Sequence, residues 1–143
     1  MSDNNRFIDN GDGTVTDSEK NLMWKKSDSM GDLAKWVNYQ ESADYARELN
    51  EQKFAGYDNW RLPTRDELCT IYDKAWSVKD KFGKDIHIND CFAPGGGFSM
   101  VAQQVPGRMR TWVFNLRDGE YTQPDGLWTL AEAARAVRNI DNQ

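Results

Sequence analysis

Thiols and imidazoles are scarce in this chain. Two cysteines, Cys69 and Cys91, and a single histidine, His87, are all that 143 residues carry. Their separation fits neither a CxxC redox motif nor a zinc-ligand spacing, so no metal or cofactor is expected. The two thiols read either as free and partly buried or as one disulfide, and the spacing does not choose between these. His87 stands near Cys91, but no third group is in view to orient a thiol–imidazole dyad. No apolar run approaches the ~20 residues needed to cross a bilayer, which argues against membrane insertion. The first residues, MSDNNRFIDN, lack the basic and apolar pattern of a secretory signal. That fits a chain that stays inside the cell or a mature piece of a longer secreted one. A net charge of −5 excludes non-specific nucleic-acid binding as the main role. No repeat, low-complexity tract or linker divides the chain, so residues 1–143 read as a single domain.

Large rings are plentiful instead. Six Trp, five Tyr and six Phe point to a core built on aromatic side chains. The densest stretch is FAGYDNWRLPTRDEL, residues 54–68. A Gly-Tyr-Asp-Asn turn leads into Trp60, Arg61 and Leu62, and Pro63 bars a helix from running back through Leu62. Thr64 opens a new helix, with Glu67 three residues on as its capping partner. Trp60 is expected to plug the core, and Arg61 and Glu67 to form an ion pair or capping group. This stretch reads as a structural hub rather than a catalytic motif.

The elements follow from local pattern. RFID and TVTD flank an Asn-Gly-Asp-Gly turn, which is hairpin chemistry. The run from Asp9 to Gly13 suggests a calcium loop, but the frame that places Asp12 and Gly13 correctly puts Ile8 at the first ligand position. A second polar turn precedes Leu22-Met23-Trp24, and residues 25–32 read as a polar loop. Asn38 and Glu41 make a capping box for a helix from Tyr39 to about Asn50, with Tyr39, Ala43, Ala46 and Leu49 or Asn50 on one face. A second helix is expected from Arg65 to about Trp76, burying Leu68, Ile71, Tyr72 and Ala75. Residues 77–85 read as exposed, with Ile86, Ile88 and Phe92 docking them to the core. Residues 94–107 hold a glycine triplet without the Lys-Ser or Lys-Thr of a phosphate loop and read as a flexible loop. Arg110 to Leu116 alternates as a strand, Asp118-Gly119 turns it, and Glu120 to Thr122 returns. The alanine-rich segment before Ile140 is ambiguous, and pattern alone favours a helix there.

These pieces in this order resemble the Lcl C-terminal domain family, a bacterial domain of unknown function. RFIDNGDGTVTDSEKNLMWKK is similar to its opening hairpin and strand, YQESADYARELN to its first helix and WVFNLRDG to its late hairpin. WRLPT-x-x-EL is the most specific match, and ARAVRN resembles its closing strand. The resemblance implies an α+β, C-type-lectin-like fold related to formylglycine-generating enzymes (sulfatase-modifying-factor-like): two helices on a twisted antiparallel sheet with long irregular loops. It replaces the C-terminal helix by a strand at Ala134 to Arg138, closing the sheet beside the N-terminal strand. Many relatives carry cysteines at the positions of Ala46 and Ala136. The paired loss suggests packing of small residues where a disulfide stood, and fits a reducing compartment. Family habit points to the cell surface, so the localisation stays open. The Trp-Ser-Ser type motif of relatives has Phe98-Ser99-Met100 as its nearest equivalent here.

The resemblance implies a non-catalytic binding module for a carbohydrate or other cell-surface ligand, held by loops of the second half. Arg108, Arg110, Tyr121 and Trp128 are the expected contacts, since rings stack on sugars and arginine pairs with sulfate or carboxylate. Trp112 and Trp128 are each read first as core. The negative charge opposes a polyanion unless Arg108, Arg110, Arg135 and Arg138 share a face. The alternative is a protein-interaction or assembly domain, an adhesin or receptor-binding tip or an oligomer, using the same loops. An oxidoreductase of the formylglycine-generating kind would need a late-chain thiol pair that Cys69 and Cys91 do not match.

Overall fold

A computed structural model describes residues 6–105, 110–123 and 131–140. Strands β1 (Phe7–Asp9), β2 (Thr14–Asp17) and β3 (Leu22–Lys25) form a meander, and β9 (Val137–Asn139) pairs antiparallel with β3. Helix α1 covers Ser29–Leu33, α2 Tyr39–Glu51 and α3 Arg65–Thr70. A short hairpin of β4 (Val78–Lys79) and β5 (Asp85–Ile86) follows. A second antiparallel sheet has the order β6 (Ser99–Gln104), β7 (Thr111–Asn115), β8 (Tyr121–Thr122). The class is therefore α+β, with helices and antiparallel sheets.

The local chemistry of the turns explains the first sheet. Asn10 and Asp12 spend their side chains on Thr14 and Thr16, and Asp9 caps Gly11 and pairs with Lys26. The loop that hinted at calcium is a hairpin turn tied by its own side chains. β3 is buried along its whole length because it is an inner strand between β2 and β9, with Leu22 and Trp24 in one apolar cluster and Met23 in the other.

The C-terminal segment joins the two sheets, as a strand rather than the helix its alanines favour. Glu132 bridges Val37, Ala133 lies parallel to Met100 of β6, and Val137 bridges both Arg61 and Trp24. Residues 133–138 are all buried, so no face of the segment could carry the polar stripe a surface helix needs.

Several local expectations change. The polar loop over residues 25–32 gives way at its end to α1, which Asp28 caps by accepting from Gly31 N. α2 starts at its capping box but buries Ser42, Tyr45, Ala46 and Leu49, so the buried stripe is rotated away from Tyr39 and Ala43. α3 stops at Thr70, well short of Trp76. Asp73 captures Ala75 N with its side chain while its own N–H donates to the His87 carbonyl, and both bonds compete with a continuing helix. Ala75 is consequently exposed and Tyr72 half-buried. Asp80, in a stretch expected to be exposed, has a fully buried side chain held by Arg117. Ile86, Ile88 and Phe92 do dock in the core.

The glycine-rich stretch is built in rather than loose. Gly97 N donates to Asp28 Oδ2 at 2.9 Å, and both Gly96 and Gly97 are buried. β6 begins two residues later and is buried from Ser99 to Ala102.

Candidate functional site

The hub holds as read. Trp60 is buried, with Nε1 donating to the Phe54 carbonyl, and Asn50 clamps its backbone from α2. Arg61 forks onto Glu67 at 2.8 and 2.9 Å. Thr64 Oγ1 accepts from Glu67 N, and Glu67 accepts from Thr64 N in return. Burial raises the Glu67 pKa, but the Arg61 fork and the Thr64 N–H outweigh it and hold the carboxyl below its ordinary value. All of these groups are used up within the scaffold.

The same turn sets up a cleft beside it. Pro63 O accepts from Gln103 N and Leu62 O from Gln103 Nε2, which ties β6 to the start of α3. Arg65, the first helical residue, is thereby aimed across β7 and β8. Its guanidinium carbon lies 4.7 Å from the Trp112 ring centre and 5.1 Å from that of Tyr121. Trp112 and Tyr121 meet edge to face at 5.4 Å, and Tyr121 stacks on Phe114 at 6.2 Å. A cleft of about 330 Å³ opens between Thr64, Arg65, Asp66, Gln103, Gln104, Val105 and Trp112, and the exposed Asp66 carboxylate accepts from Arg65 Nη2 at 3.2 Å. Tyr121 is 45% exposed and Arg65 keeps a third of its side chain in water. The cleft thus combines aromatic surface, primary amides and a guanidinium already ordered by two rings.

Of the residues expected to bind ligand, Tyr121 is part of this constellation. Arg110 is exposed at its rim, its carbonyl accepting from Val105 N. Arg108 and Trp128 lie outside the described residues. Arg135 and Arg138 are corrected: they belong to the interior. Arg135 is fully buried, lying over Phe92 and donating to the carbonyls of Lys25 and Lys26. Arg138 stacks on Tyr57 at 3.7 Å and donates to Asn59. A four-arginine surface is therefore absent. Arg65 and Gln103 went unrecognised in the sequence, and Trp112, read there as core, is half-buried in the cleft wall. The ring pair and Arg65 come from segments some fifty residues apart, so no local spacing announces them.

Cys69 and Cys91 are both free thiols. Burial pushes each thiol pKa up, Asp90 and Asp9 adding to the effect at Cys91. His87 Nδ1 lies 2.9 Å from the Trp76 carbonyl, and Cys91 Sγ faces the Phe7 carbonyl. Among the described residues no three His, Cys, Asp or Glu are placed to hold a metal ion. No helix among them is long and apolar enough to cross a membrane.

A family model described as Lcl C-terminal domain matches residues 13–138. No curated protein matches the chain.

Proposed function

From the premise that the chain belongs to the Lcl C-terminal domain family, we propose that it is a non-catalytic ligand-binding module for a carbohydrate, with Arg65 rather than an arginine cluster meeting an acidic substituent. The observation that carries this reading is the Arg65 guanidinium held against Trp112 and Tyr121 at the mouth of a polar cleft. Rings offer apolar surface to the C–H face of a sugar, the amides of Gln103 and Gln104 offer polar groups beside it, and the guanidinium suits a sulfate or carboxylate substituent, which would displace the water-exposed Asp66 carboxylate from it. In finer detail we read the fold as C-type-lectin-like. In support, the C-terminal strand returns to β3 near the N-terminal hairpin, and irregular connections gather in the second half. Two thiols whose pKa values are raised by burial give no support to an oxidoreductase.

Calorimetric titration with dextran sulfate and with its uncharged parent, dextran, tests the proposal. Dextran sulfate binds and weakens as salt rises. Tyr121→Ala and Arg65→Gln each weaken it at least five-fold while the circular dichroism stays that of the wild type. Equal binding by both variants, or binding of dextran as tight as that of dextran sulfate, overturns the reading. A silent titration with a stable oligomer by native mass favours an assembly domain on the same surface.

A further inference from the structure

A second hollow, of about 540 Å³, lies at the other end of the β6–β7 ladder, where Ser99 faces Asn115 rather than where Gln104 faces Thr111. Trp36, Phe82, Phe98, Ser99, Arg117 and Glu132 line it. The three rings pack as a set. Trp36 and Phe82 stack at 6.0 Å with 17° between planes, and Phe98 stands edge-on to them at 5.2 and 6.1 Å. Phe82 nevertheless leaves 52% of its surface in water, on a turn between Lys81 and Lys84.

The two charged groups of the hollow differ in kind. Arg117 is neutralised: it lies 3.8 Å over the Phe98 ring, and its Nε and Nη2 both donate to Asp80 Oδ2, at 3.0 and 2.8 Å. Glu132 is not. Its Oε1 accepts from the Ser99 hydroxyl, and among the described residues no lysine or arginine pairs with it. Burial raises its pKa, and the bonds from the Ser99 hydroxyl and the Ala131 N–H offset this only in part. An uncompensated, half-buried carboxylate beside three rings lacks a positive partner with an apolar body.

We propose that this hollow binds an organic ammonium ion, its nitrogen paired with Glu132 and its hydrocarbon or aromatic body against Trp36, Phe82 and Phe98. An anion meets no free charge there, because Asp80 already holds the guanidinium. A neutral polar ligand leaves the carboxylate uncompensated. The site is separate from the Trp112 cleft and stands or falls independently of it.

Titration of 2-phenylethylammonium and of its neutral counterpart 2-phenylethanol, followed at the Trp36 indole N–H resonance, tests this. The resonance is assigned with Trp36→Phe. The amine binds one to one and the alcohol at least ten-fold more weakly. Glu132→Gln, which keeps an acceptor for the Ser99 hydroxyl, loses at least ten-fold for the amine. Phe82→Ala, at an exposed position, loses several-fold, and Tyr121→Ala binds the amine as the wild type does. Equal affinity for amine and alcohol, wild-type affinity in Glu132→Gln, or an unmoved Trp36 resonance overturns the proposal. Glucose that shifts the resonance where the amine does not overturns it equally, in favour of a saccharide site.

Discussion

Two glutamates show how one residue type is set to opposite ends by its neighbours. Glu67 has a folded pKa below its ordinary value of 4.5, so the folded state binds fewer protons than the unfolded one. Its stabilising contribution is complete above the unfolded pKa and fades as pH falls through the folded one. Thermal melts of Glu67→Gln against wild type show a deficit at neutral pH that narrows steadily in acid. Glu132 has a folded pKa above 4.5. Its ionised form costs stability at neutral pH, and the cost disappears once the carboxyl is protonated in both states. Glu132→Gln therefore melts higher than wild type at pH 7 and level with it well below the ordinary carboxylate range. Glu67 was legible in the sequence because its partners, Thr64 and Arg61, lie within six residues of it. Glu132 was not, since its partner Ser99 and the rings around it come from three separate segments. The place of Arg135 was hidden for the same reason. An arginine between alanines carries no local mark of burial, and only the fold shows the carbonyls of Lys25 and Lys26 that receive it.

Among the elements, those with a signal inside their own length were readable. The two capping boxes located the starts of α2 and α3, and the Asn-Gly-Asp-Gly turn located the first hairpin. Ends and irregular stretches depended on distant groups. α3 ends where the His87 carbonyl takes the Asp73 N–H, a bond no local pattern announces. The glycine triplet read as flexible because glycine usually signals freedom. Here two of the three are glycine because nothing larger fits. A Cβ on Gly96 would come within 2.5 Å of Asp28 Oδ2, and one on Gly97 within 2.7 Å of the Ala133 Cβ. Asp28 cannot swing clear, since it caps α1, accepts from Gly97 N and faces Arg135. Gly96→Ala and Gly97→Ala are each expected to destabilise by about 1–3 kcal/mol, the usual range for overpacking a close-packed site. Chemical denaturation checks this, and a shift below about 0.5 kcal/mol would restore the flexible-loop reading.

At the scale of the whole molecule, residues 132–139 hold the domain together. They touch the first sheet through β3, the second through β6, and the hub through Arg61. A segment with pairings to both sheets and to the hub couples them, which favours cooperative folding. Ala46 and Ala136 both sit in the apolar cluster around Trp60 and Tyr45. The family resemblance settled the C-terminal strand that composition had left as a helix. Composition could not settle the proposed binding surface, because its rings and its guanidinium converge only when α3 packs on β7.

Where a saccharide sits on the folded protein bears most directly on this view of the molecule. Nitrogen–proton correlation spectra recorded during titration with dextran sulfate oligosaccharides read that position out. The largest shifts are expected at the Trp112 indole, the Arg65 Nε–H and the backbone amides of Gln103 and Gln104. Shifts confined to the first sheet or to the Trp36 hollow, or none at saturating ligand, would contradict it.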